Sequence, residues 1–84
     1  MNLMRLVIFS LVIRAAAYTQ INMCSEAIKD CLKSIEIDPN YSKAYSRLGL
    51  AYYAQGKYAE AIEKGFKKGM YIFLELVRNY HIPL

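Results

Sequence analysis

The chain has 84 residues and a formal net charge of +4, with 56% hydrophobic and 21% charged residues. That is one small domain at most, neither disordered nor low in complexity, and too small for a scaffold with a multi-substrate cleft. The charge favours an acidic partner but does not by itself imply nucleic acid. Cys24 and Cys31 stand seven residues apart, without a CxxC motif and with a single histidine, His81. They supply neither a disulfide framework nor four zinc ligands, and read as two thiols in a reducing cytosol. His81 has no Asp, Ser or Cys at a catalytic spacing, and no phosphate-cradling glycine loop, nucleophile elbow or metalloprotease motif occurs. No enzymatic activity, metal or cofactor is expected.

In chain order, residues 1–13 are apolar apart from Asn2, Arg5 and Ser10. Leu6 to Ile13 has the length of a signal-peptide core, with Arg5 before it and the small residues Ala15, Ala16 and Ala17 after it. Arg14 interrupts the run just before those alanines, and the run is short of the ~20 residues that span a bilayer. The segment reads as the buried start of a first helix, with a secretory or membrane-associated leader as the alternative. The turn after this helix falls at Asn22, Met23 and Cys24. From Cys24 a second helix carries Ala27, Ile28, Cys31, Leu32 and Ile35 on one face. Asp38-Pro39-Asn40 stops it, because proline cannot continue a helix and disfavours helical backbone before it.

Asn40 or Ser42 can cap a third helix, whose inner face reads Ala44, Tyr45, Leu48, Ala51 and Tyr52. Gly56, Lys57 and Tyr58 form the next turn. A fourth helix starts near Tyr58 and carries Ala61, Ile62 and Phe66 inward, with Lys64, Lys67 and Lys68 toward solvent. Met70, Phe73, Leu74 and Val77 keep helical spacing and extend it, at ~1 kcal/mol each for Gly65 and Gly69.

The chain also repeats. Ala15 and Gly49, Ala17 and Ala51, Tyr18 and Tyr52, and Ala27 and Ala61 are all 34 residues apart. A 34-residue period with small and aromatic residues at these places is the tetratricopeptide repeat signature, two antiparallel helices per repeat. The expected fold is therefore all-α, about four helices, an α-solenoid fragment with repeats over 8–41 and 42–75, a divergent start over 1–13 and a divergent extension over 69–84. Ala17, Ala27, Ala51 and Ala61 are the expected close-contact positions. Tyr18, Pro39, Tyr45, Gly49 and Tyr52 complete the structural set.

Three stretches are more specific than a generic repeat. Arg14-Ala-Ala-Ala-Tyr18, Glu26-Ala-Ile-Lys-Asp-Cys31 and the run from Ile37 through Ser42-Lys-Ala-Tyr-Ser-Arg47 to Ala51 resemble the small glutamine-rich tetratricopeptide repeat co-chaperones, and Ala59 to Lys68 looks most like the plant versions. The resemblance covers the second and third of that family's three central repeats. It implies an adaptor that binds the acidic C-terminal tails of heat-shock chaperones through a carboxylate clamp, within a family that hands tail-anchored proteins toward the endoplasmic reticulum. Carried onto this chain, the clamp retains Lys43 and Arg47. They are four apart on one helix and share a face. Arginine offers a planar fork and lysine a compact charge, which together suit a peptide terminus with two carboxylates.

The resemblance also has departures. Ile13 stands where the family has an asparagine, so it offers the carboxylate no donor. The family's first repeat is not matched, nor are its dimerisation and glutamine-rich regions. The loss of similarity near Ile13 and Lys68 suggests a truncated or alternatively spliced product, or a gene model running into non-coding sequence. With fewer than the three repeats such arrays usually need, exposed apolar surface that favours self-association or lipid contact is expected. The competing expectations are a cytoplasmic chaperone-tail adaptor, a scaffold that has lost its groove, and a small membrane-associated or secreted protein.

Overall fold

The computed structural model describes residues 3–68, with side chains through residue 65. Four helices follow one another: α1 (Leu3–Gln20), α2 (Cys24–Ile37), α3 (Ser42–Ala54) and α4 (Tyr58–Lys68). Each packs on its chain neighbour, and α1 also packs on α3. This is the expected all-α stack of two helix hairpins. Phe66, Lys67 and Lys68 as side chains, and the proposed extension through Met70, Phe73, Leu74 and Val77, lie outside the described residues.

The 34-residue repeat is visible bond by bond at the two hairpin turns. Met23 N–H donates to the Tyr18 carbonyl at 2.7 Å, and Lys57 N–H to the Tyr52 carbonyl at 2.9 Å. Asn22 N–H donates to Thr19 O at 3.1 Å, and Gly56 N–H to Tyr53 O at 2.9 Å. This pair of bonds is a Schellman closure, which satisfies orphan carbonyls at a helix end and needs one residue in the left-handed region. Gly56 takes it with φ 80° and Asn22 with φ 64°. Asparagine is one of the few residues with a Cβ that visits that region readily. That is how the first turn closes without a glycine.

The turn between the hairpins is built differently. Asn40 N–H donates to an Asp38 carboxylate oxygen at 3.0 Å, and the Tyr45 hydroxyl donates to the Pro39 carbonyl at 2.9 Å. Tyr45 thus ties the proline stop to the helix that follows. Neither Asn40 nor Ser42 caps α3. Its cap position is Tyr41, with no side-chain cap bond. The Asp38 side chain already serves Asn40, so this turn is ordered from its other end.

The core sits where α1, α2 and α3 meet. Ala15, Ala27, Cys31, Leu48 and Ala51 are all at most 1% exposed, with Tyr18, Ile28, Ile35 and Tyr52 packed around them. Small residues let the helices approach, and Leu48 fills the space between. Gly49 and Ala61 are also buried. Ala17 is not. It is exposed, although it occupies the repeat position of the fully buried Ala51. The reason is stacking: Ala51 on α3 faces the preceding hairpin, and no described element precedes α1.

Two other side chains differ from the expected inner faces. Leu32 is 46% exposed and Ile62 54% exposed. On α2 the buried stripe runs through Cys24, Ala27, Asp30, Cys31 and Ser34, so two polar residues occupy the interior face and Leu32 turns outward. The apolar start of the chain is likewise only half covered. Ile8, Leu11, Val12 and Ala15 are buried, while Leu3, Leu6, Val7, Phe9 and Ile13 are 43–75% exposed. A helix flanked on one side by α2 and α3 can bury only one face.

Candidate peptide-binding site

Lys43 and Arg47 lie one helical turn apart on α3. Lys43 is exposed and Arg47 half-buried. The α3 backbone around them is pinned by Tyr45 on Pro39, and the Ser46 hydroxyl donates to the Lys43 carbonyl at 2.8 Å. The Arg47 Nε is buried and has no hydrogen-bond partner. A nitrogen closed to solvent is also closed to a ligand, so a carboxylate on Arg47 would meet the terminal nitrogens of the guanidinium.

The equivalent positions on α1, 34 residues earlier, are Phe9 and Ile13. Both point away from the core, with exposures of 48% and 53%. The structure therefore sets two apolar side chains at the places on α1 that two basic ones occupy on α3. Beside Phe9, a pocket of about 330 Å³ opens between α1 and the turn before α3, lined by Arg5, Leu6, Ile8, Phe9, Asp38 and Tyr41.

Arg14 and Asp30 form a polar contact that sequence reasoning missed. The Arg14 guanidinium donates through Nε to Oδ2 at 2.7 Å and through Nη2 to Oδ1 at 2.9 Å. The arginine head stays largely in solvent while the carboxylate is almost covered, at 59% and 9% side-chain exposure. The hydrogen bonds that Arg14 donates to Asp30, and the negative charge of that carboxylate, raise the Arg14 pKa further above its ordinary range. The pair clamps α1 to α2, and Arg14 also stands 5.9 Å over the Tyr18 ring. The signal was present in two oddities, a lone arginine inside an apolar run and an aspartate on the inward face of α2.

Both cysteines are free and buried. Burial pushes the Cys31 thiol up to about 12, with neighbouring Asp30 adding to the rise and Arg47 opposing it. Such a thiol packs as a small apolar group.

α1 is also, by length and composition, the one described helix apolar enough to cross a membrane, 18 residues with mean hydropathy 1.3. The apolar run alone is shorter because it ends at Arg14. In the helix Arg14 is carried within the span and paired with Asp30.

Known proteins share the repeat pattern of this chain. The tetratricopeptide repeat family matches residues 31–63. Small glutamine-rich tetratricopeptide repeat-containing protein 2 of Saccharomyces cerevisiae is 51% identical over 55 residues, 66% of this chain and 16% of that protein. The protein of the same name from Mycosarcoma maydis is 47% identical over 57 residues, 68% of this chain and 16% of that protein. Hsp70-Hsp90 organizing protein 3 of Arabidopsis thaliana is 42% identical over 50 residues, 60% of this chain and 9% of that protein. No solved structure matches. The chain thus spans only a small part of the length of these relatives. Its described helices form an all-α stack of tetratricopeptide type, and its sequence is similar to small glutamine-rich tetratricopeptide repeat-containing proteins.

Proposed function

We propose that this chain is a cytoplasmic chaperone adaptor that receives the acidic C-terminal tail of a heat-shock chaperone on α3, through Lys43 and Arg47. What carries the reading is the pair of basic side chains one helical turn apart on α3, Lys43 exposed and Arg47 half-buried. The similarity to small glutamine-rich and Hsp70-Hsp90 organizing proteins supports it. Arg47 would hold a carboxylate by parallel hydrogen bonds, and Lys43 would neutralise a second one nearby. A hydrogen bond to a charged group contributes ~1.5–3 kcal/mol, or about ten- to a hundredfold in affinity.

The test is a fluorescence-anisotropy titration with a labelled peptide ending in Glu-Glu-Val-Asp at low and high salt. The expected result is saturable binding that weakens with salt and falls at least about tenfold in Arg47→Ala. Absence of binding in a sample confirmed helical would mean that the chain keeps the scaffold without the groove.

The apolar α1 favours a second reading, contact with a membrane. Insertion would separate Ile8, Leu11, Val12 and Ala15 from α2 and α3 and break the Arg14–Asp30 pair, so the packed hairpin opposes it. Fractionation of cells expressing a C-terminally tagged chain distinguishes the two: a full-length product in the soluble fraction supports the adaptor, and a membrane-retained or cleaved product supports the alternative.

A further inference from the structure

We infer that the outer face of α1 is a homodimer interface, on which a second copy of this chain lays its own α1 antiparallel. The inference is independent of the proposed peptide site. Leu3, Leu6, Ser10, Ile13, Ala17 and Gln20 follow one another at alternating steps of three and four residues. That alternation is the seam of a coiled coil, where side chains of one helix enter the gaps of another. All six residues are exposed. With 3.6 residues per turn they lie opposite the buried Ile8, Leu11, Val12 and Ala15. A helix that is apolar all round is covered all round, and the described helices cover only one side of α1.

The seam is complementary to itself in one arrangement. Its large members are Leu3, Leu6 and Ile13, and its small ones are Ser10 and Ala17. Antiparallel pairing sets Leu6 against the partner's Ala17 and Ser10 against the partner's Ile13, and two-fold symmetry repeats both pairs. Each inner layer then joins one large and one small side chain, which is the condition for close packing. Parallel pairing would join every residue to its own copy and leave the Ser10 and Ala17 layers underfilled.

Charge favours the same arrangement. α1 has no acidic residue in its first turn and no basic residue in its last, so it does not itself compensate the partial charges at its two ends. An antiparallel partner sets each end beside the opposite one. The net charge of +4 opposes association, but the seam is uncharged, and Arg14 at its edge is paired with Asp30 at 2.7 and 2.9 Å. Area sets the strength. The 18 residues of α1 make a helix about 27 Å long and about 10 Å wide, an outer face of about 300 Å². Standard stable interfaces bury ~800 Å² per partner, so this dimer is weak and reversible.

The test is sedimentation velocity of the full chain from about 10 μM to about 1 mM, the range of a weak interface. The expected result is a concentration-dependent shift from monomer to dimer. Leu6→Glu and Ala17→Arg, both at exposed positions and checked for unchanged helicity, should each move that shift at least about tenfold higher in concentration. An equimolar mixture of the two variants should associate better than either alone, because the introduced acid of one copy meets the introduced base of the other across the seam. A dimer that neither variant weakens would place association elsewhere and overturn the inference. Loss of the dimer in both variants without rescue in the mixture would overturn the antiparallel register. A chain that stays monomeric to about 1 mM would overturn the homodimer, and binding of that monomer to anionic vesicles would assign the face to lipid.

Discussion

Ala17 and Ala51 occupy the same repeat position and meet opposite environments, and this contrast makes a demanding test of the stacking argument. Ala51 is fully buried within the cluster formed by Ala15, Ala27, Cys31 and Leu48, whereas Ala17 is exposed. Replacing the methyl of Ala51 with an isobutyl group forces the α2–α3 contact apart. Overpacking of this kind costs ~1–3 kcal/mol. Replacing Ala17 with leucine should change stability by no more than ~0.5 kcal/mol. In a domain of this size 1 kcal/mol moves the melting temperature by about 4–8 °C. Ala51→Leu should therefore melt roughly 4–24 °C below the parent, and Ala17→Leu within about 4 °C of it. Thermal melts followed by far-ultraviolet circular dichroism provide the comparison, at several protein concentrations so that self-association is seen. Equal losses for the two variants would refute the reasoning, since they would mean that Ala17 also faces a packed element.

Five other outcomes follow from the same geometry. Leu48, 1% exposed at the meeting of three helices, should lose ~2–5 kcal/mol as Leu48→Ala in urea unfolding. Gly56→Ala should cost ~1 kcal/mol, because φ is +80° while a Cβ there meets nothing within 4 Å, so only the backbone term remains. Asn22→Gly should be neutral or slightly stabilising in the same assay. Arg14→Ala should lower the melting temperature more than the double variant with Asp30→Ala, because the single change leaves an almost covered carboxylate without its partner. Cys31 predicts the pH dependence. Its folded pKa is raised to about 12, above an unfolded thiol near ~8.5. The folded state therefore holds the proton longer, the contribution is fully present below the unfolded value, and it is lost as pH rises from ~9 toward 12. Urea unfolding between pH 8 and pH 11 should show a shallower decline in Cys31→Ala than in the parent.

The helix order and both hairpin turns were legible because their signals are local. Period, proline and turn residues act within a few positions, so the helices begin at Cys24 and Tyr58 as the pattern predicts. Asn22 shows how a turn persists after its glycine is lost: the left-handed backbone is required, and asparagine can adopt it. What the sequence could not show is which faces are covered. Ala17 looks the same as Ala51 in a repeat alignment, yet burial depends on whether a neighbouring hairpin is present. Leu32, expected inward, lies exposed while Asp30 sits inward, because the Arg14 pair allows an aspartate there. Lys43, Arg47 and Ile13 were readable as positions from the sequence, whereas the half-exposure of Ile13 and Phe9 came only from the packing of α1.

The central claim is that α3 presents a carboxylate-binding surface. Amide chemical-shift mapping by NMR with a peptide ending in Glu-Glu-Val-Asp tests it most directly. The account predicts saturable shifts concentrated around Lys43 and Arg47 on α3 and on the facing turns of α1, all abolished by Arg47→Ala. Shifts confined to α4 or the outer face of α2, or no shifts in a helical sample, would contradict it.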